Sequence, residues 1–267
     1  MRVLIAGSGD LGGRIARGLR AEGADVVSIV RRPRPNEPDK LAFDLTQPLA
    51  SPITGEFDVL VHCLSPAHRD EASYRAVYVD ALQHLLEACP DVPRVVFVSS
   101  TAVYGDHGGA WVDESAPCRP SAFNGQVLLD AERLAQSCGR EALVLRLGGI
   151  YGPGREMLLR RIRSGEPLPV SDPPLYTNRI HVDDAAAAAV HLVVRGKVGI
   201  VNLVDDMPAA QPDVLDWLAD CMGLPRLART ASGPAPENKR VANATLRSTG
   251  FVFRYPDFRA GYDAMLR

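Results

Sequence analysis

Three glycines, Gly7, Gly9 and Gly12, stand just after the apolar run of Val3, Leu4 and Ile5, and a helical pattern begins among them. Glycines at that spacing between a strand and a helix can hold a pyrophosphate. Gly7 permits the tight turn, Gly9 lets the backbone approach the anion, and Gly12 lets the helix pack closely on the strand. The free N–H groups and positive dipole end of the helix then face the negative charge. Asp10 and Leu11 belong to the same loop. A pyrophosphate would repel the carboxylate of Asp10, so its expected role is to cap the helix start. About 20 residues beyond such glycines a carboxylate usually holds the ribose hydroxyls of NAD. This chain has Arg31 and Arg32 there and no acid. Guanidinium groups suit a 2′-phosphate, which favours NADP over NAD as the cofactor.

Those residues require a scaffold, and the rest of the chain is patterned to supply one. Short apolar runs at Val26–Val30, Leu41–Phe43, Val59–Cys63, Val95–Val98 and Leu143–Leu147 read as strands. Segments with helical spacing at Tyr74–Cys89 and Gln126–Ser137 separate the later ones. Such alternation predicts an α/β fold, a Rossmann-type doubly wound parallel sheet whose ligands bind at the carboxyl ends of the strands. Beyond Tyr151 prolines break the pattern, but His181–Val194 reads as a helix and Gly199–Leu203 as a strand returning to the main sheet. Residues 1–150, completed by 177–203, are expected to form the dinucleotide-binding domain. Residues 151–176 and 204–267 are expected to form a smaller substrate-binding region.

The 267 residues suffice for a large core, and a formal charge of −2 provides no bulk attraction for nucleic acid or an anionic membrane. Five scattered cysteines, none in a CxxC pair, suggest neither a disulfide framework nor a metal site. No charged-then-apolar leader and no membrane-length apolar run is visible, so the expected location is a reducing cytoplasm and the expected partner a small molecule.

Several segments together resemble the extended short-chain dehydrogenases/reductases, the NAD(P)-dependent epimerases and dehydratases. They are GSGDLG (7–12), Asp44-Leu45, VVFVSSTAVYG (95–105), LRLGGIYGPG (145–154) and IHVDDAA (180–186), in the family's order. The first glycine of the family's loop is replaced by Ala6, as in its atypical members. The resemblance implies that Asp44 and Leu45 flank the adenine, that Cys63, Leu64 and Ser65 run beside the cofactor's ribose, and that Ser99 lies near the cofactor. It also implies that Ser100 is the catalytic Ser/Thr, with Thr101 and Asn124 facing the substrate. Family members often dimerise through the helices matching Tyr74–Cys89 and Gln126–Ser137, so a homodimer and a monomer both fit.

The catalytic half departs from the family pattern. Its enzymes carry a tyrosine and, four residues later, a lysine that lowers the phenol's pKa. Asn124 and Leu128 occupy those positions here, and none of the three lysines, Lys40, Lys197 and Lys239, follows a tyrosine by four. Tyr104, His68 and His181 are the residues that offer a substitute acid. The family's nucleotide-sugar arginine is replaced by Thr177, leaving Arg179 as the candidate contact for an anionic substrate. Two readings follow. One is an NAD(P)-dependent oxidoreductase with a rebuilt proton relay, and the other a non-catalytic NADP(H) sensor.

Overall fold

The computed structural model describes residues 1–32, 39–231 and 237–267. The proline-rich loop expected after Arg32 lies outside them.

The first strand, β1 (Arg2–Ala6), is followed by helix α1 (Asp10–Ala21), β2 (Asp25–Val30), β3 (Lys40–Ala42) and β4 (Val59–His62). A segmented helix comes next: α2 (Glu71–Arg75), a π-helical stretch over Ala76–Asp80, and α3 (Ala81–Ala88). The chain continues through β5 (Arg94–Ser100), the short β6 (Trp111–Val112), α4 (Phe123–Ser137) and β7 (Glu141–Leu147). A helix at Val182–Val194 and a strand at Gly199–Leu203 complete this part.

Seven strands form the parallel central sheet in the order Gly199–Leu203, β7, β5, β4, β1, β2, β3. β1 therefore lies between β2 and β4, with Val3 opposite both Val26 and Val59. Strand order reverses between β1 and β4, and at such a switch point the two following loops leave a crevice at the strands' carboxyl ends. Both faces of the sheet are covered, which explains why β1 and β4 are apolar apart from Arg2 at the start of one and His62 at the end of the other, and almost wholly buried. Arg94, buried at the start of β5, donates to the carbonyls of Val193 (2.8 Å) and Lys197 (2.6 Å). It thereby satisfies carbonyls at the end of the Val182–Val194 helix that the helix itself cannot.

Two compact units divide the chain. The first comprises residues 1–103, 122–146 and 186–201. The second comprises residues 104–121, 147–185 and 202–267. Its core gathers Tyr151, Leu159, Ile162, Leu218, Phe258 and Tyr262 among others. In it Asp184 accepts from the backbone N–H groups of Arg254 (3.0 Å) and Tyr255 (2.8 Å), pinning the segment before the last helix, Phe258–Leu266.

Candidate active site

Backbone crowding at the switch point dictates the glycines. Gly7 has φ +98°, and a Cβ placed there would lie 2.4 Å from the Cys63 carbonyl oxygen. At Gly12 a Cβ would come within 1.9 Å of the Gly7 carbonyl oxygen and 3.6 Å of Cys63 Sγ. No larger residue fits either position: at Gly7 the loops after β1 and β4 touch through their backbones, and at Gly12 the start of α1 presses on the Gly7 carbonyl of its own loop. Gly9 is different: it is exposed, and a Cβ there would meet nothing within 4 Å. Nothing in the chain requires glycine there, and its bare backbone is open to the approach of a ligand.

Gly9 is also the N-cap of α1, and no side chain caps that end. The first N–H groups of a helix lack partners within it, so here they are available to an anion. Asp10 departs from the expected capping role. It is the first helical residue, and its carboxylate receives Arg14 Nε at 2.8 Å, one turn on. That ion pair offsets its repulsion of a pyrophosphate. Leu11 is buried beneath the loop.

Around this turn the other candidates fall as follows. Arg31 and Arg32 are exposed just beyond β2. Asp44 accepts from Thr46 Oγ1 (2.7 Å) and Thr46 N (3.1 Å), bonds that hold its carboxyl below the usual range. Leu45 is buried, its carbonyl bound by His84 Nδ1 at 2.9 Å. Cys63 and Leu64 are half-buried and Ser65 is exposed after β4.

At the end of β5 two adjacent serines diverge. Ser99 is buried and donates to Glu132 Oε1 of α4 at 2.5 Å. Glu132 in turn receives Arg146 of β7 through Nη2 (2.7 Å) and Nε (3.1 Å), so a buried fork joins three elements. Ser100 is half-buried, and its Oγ accepts from Ala102 N at 3.2 Å, leaving its own proton to donate. Thr101 is buried at 8% exposure. On α4, Asn124 is half-buried and Leu128 buried. Glu132 received no role from sequence reasoning; a buried position on a helix facing a serine-ended strand was the available signal.

Tyr104 belongs to the second unit, has no exposure, and its hydroxyl donates to Asn202 Oδ1 at 2.7 Å. That is the placement of a packing residue, which removes the physical basis for giving it the acid's role. Arg179 is likewise buried, with its guanidinium 5.9 Å from the Phe258 ring. Asp205 stands near it, and burial pushes its carboxyl up to about 8. His181 is buried and its Nδ1 accepts from Asp183 N at 3.3 Å, while His68 is exposed.

A parallel sheet of this order, with a glycine turn at its switch point, defines a Rossmann-type nucleotide-binding protein. Residues 3–203 match the NAD dependent epimerase/dehydratase family, and the chain belongs to that family. It is similar to a 3-diazoavenalumate denitrifying reductase from a Streptomyces species, 31% identical over 271 residues that cover 91% of this chain and 86% of the relative. A solved family structure from Methylobacillus flagellatus superposes with a TM-score of 0.83 at 34% identity, over 99% of this chain and 97% of that one. MoeE5, solved with UDP-glucose and NAD, gives 0.81 at 27% identity, over 100% and 97%. The protein is thus an NAD(P)-binding member with oxidoreductase-like function, and its cofactor is a nicotinamide dinucleotide. The open face of Gly9 and the uncapped start of α1 fit such a group.

Proposed function

We propose that this protein is an NADP-linked reductase of a small molecule bearing an electron-poor carbonyl or related unsaturated group, with an active site that lacks the family's tyrosine–lysine pair. The observation that carries the reading is the backbone geometry at the switch point: Gly7 and Gly12 are required by the fold, whereas Gly9 is required by nothing in the chain. Among the relatives, the diazoavenalumate reductase and a dTDP-4-dehydro-6-deoxy-D-allose reductase that is 25% identical both reduce small molecules, which supports reduction over epimerisation.

When bound, the dinucleotide supplies a hydride equivalent. The N–H groups at the start of α1 hold its pyrophosphate, and Arg31 and Arg32 bind a 2′-phosphate. Ser100, already accepting from Ala102 N, keeps its proton and orients the substrate oxygen by donating a hydrogen bond to it. Asn124 and Leu128 cannot give up a proton near neutral pH. The test is titration with NADPH and NADH, followed by oxidation assays with carbonyl and diazo probes. Tight NADPH binding with substrate-dependent oxidation is expected. Binding without oxidation by any probe would overturn the reductase and favour a dinucleotide sensor.

A further inference from the structure

The proton that reduction requires has no donor at Asn124 or Leu128, and Tyr104 is committed elsewhere. In the first unit two phenols, Tyr74 and Tyr78, stand on the segmented helix, and Tyr78 is the one whose ring touches residues of β4 and β5. Tyr78 lies in the π-helical stretch Ala76–Asp80, which interrupts an otherwise α-helical segment. Such stretches cost hydrogen-bond geometry and occur frequently at functional sites. His62, the last residue of β4, bonds the carbonyl of Val77 inside it through Nε2 at 3.0 Å, tying the stretch to the strand that leads into Cys63. The Tyr78 ring stands edge-on to Phe97 of β5 at 6.3 Å and 6.4 Å from His62, residues that face each other across the β4–β5 pairing. Tyr74, one turn back, packs on Tyr78 at 5.4 Å and on Phe123, the residue before Asn124, at 5.3 Å.

We propose that the Tyr78 hydroxyl supplies the proton in the reduction, an inference that rests on the reductase reading above. The carbonyl carbon accepts the hydride equivalent carried by the bound dinucleotide. The C=O π pair moves onto oxygen, and that oxygen takes the proton from Tyr78. Water then reprotonates the resulting phenolate, which the half-buried position of Tyr78 allows. The surroundings keep the phenol in its donor form. Burial, with Tyr74 and Cys63 adding to it, pushes Tyr78 up to about 12. His62 is held neutral because burial pushes it down to about 4, and Phe97 and Phe123 are uncharged. A phenol raised in this way remains a stronger acid than the alcohol it forms, so donation is downhill without a lysine.

Fluorine NMR of protein containing 3-fluorotyrosine tests the placement without turnover. Tyr78→Phe assigns the resonance and preserves the ring's packing, and Tyr74→Phe is the control. Saturating NADP⁺ and NADPH are expected to move the Tyr78 line to different positions. With phenanthrenequinone as probe, Tyr78→Phe should lower the NADPH oxidation rate about 100-fold or more. Its affinity for NADPH should stay within about twofold of wild type, with Tyr74→Phe retaining most activity. A Tyr78 line unmoved by a dinucleotide that does bind, or full turnover in Tyr78→Phe, would overturn the proposal alone. Failure of the wild type to bind either dinucleotide would overturn the reductase reading along with it.

Discussion

Gly9→Ala separates cofactor binding from folding. At φ −67° and ψ −159° Gly9 occupies extended backbone that alanine adopts freely, and the new methyl would meet nothing within 4 Å. Lower unfolded-state entropy offers a gain of about 0.4–1 kcal/mol, offset in part by alanine's poorer N-cap preference. The melting temperature should therefore stay within about 4 °C of wild type. Binding should change far more, because the methyl enters the space through which the pyrophosphate approaches the N–H groups. Crowding of one methyl in a well-packed contact costs about 1–3 kcal/mol, which is roughly a 5- to 150-fold rise in Kd. Gly12→Ala provides the contrast: its methyl would lie 1.9 Å from the Gly7 carbonyl oxygen, so both stability and binding should fall. Calorimetric titration with NADPH, beside thermal melts, measures both effects. Unchanged affinity in Gly9→Ala would refute the assignment of this turn as the pyrophosphate cradle.

Three further outcomes follow from other parts of the molecule. Replacing Arg31 and Arg32 together by alanine should weaken NADPH about tenfold or more while leaving NADH within about twofold; equal losses would remove the argument for a 2′-phosphate. Glu132→Gln leaves the Arg146 guanidinium, 3% exposed, without its counter-charge. Breaking such a buried pair costs about 3–5 kcal/mol, read as a fall in the urea midpoint, and an unchanged midpoint would show that the fork is dispensable. Burial holds His62 at about 4 against its ordinary 6.5, so the unfolded chain takes up a proton that the folded one refuses. Its contribution is therefore complete above about pH 6.5 and is lost as pH falls toward 4. Denaturant midpoints across that range should fall less steeply in His62→Gln, and parallel slopes would place the acid sensitivity elsewhere.

How much was legible in advance depended on how local the cause was. The buried strands show as apolar runs because both sheet faces are covered, and β2, β4 and β7 fall where the runs predict, each shifted by a residue or two at its ends. Helix starts were less legible. The helix expected at Tyr74 begins at Glu71, where Asp70 caps it by accepting from Ser73 N at 2.8 Å. The one expected at Gln126 begins at Phe123, although Asn124 and Gly125 are poor helix formers, because Phe123 packs edge-on against Tyr74. The π-helical stretch left no periodicity to detect. In the site, Gly7 and Gly12 were readable since close backbone contacts, with Cys63 at the one and with Gly7 at the other, admit only glycine. The commitments of Ser99 to Glu132 and of Tyr104 to Asn202 span 33 and 98 residues, and no local pattern encodes them.

The same distinction bears on the proposal that the glycine turn serves a cofactor while Asn124 and Leu128 stand where the family's tyrosine and lysine are expected. The turn is made of backbone: a side chain at Gly7 would drive the loops after β1 and β4 apart, and one at Gly12 would strike the Gly7 carbonyl. Asn124 and Leu128, by contrast, are side chains on α4, a helix anchored independently by the Glu132–Arg146 fork. On the proposed reduction, the proton has to come from another rigid element that borders the same strand ends. The π-helical stretch behind β4 and β5 is such an element. Tied to β4 by His62, it carries the Tyr78 phenol against Phe97 of β5, the strand that ends in Ser100.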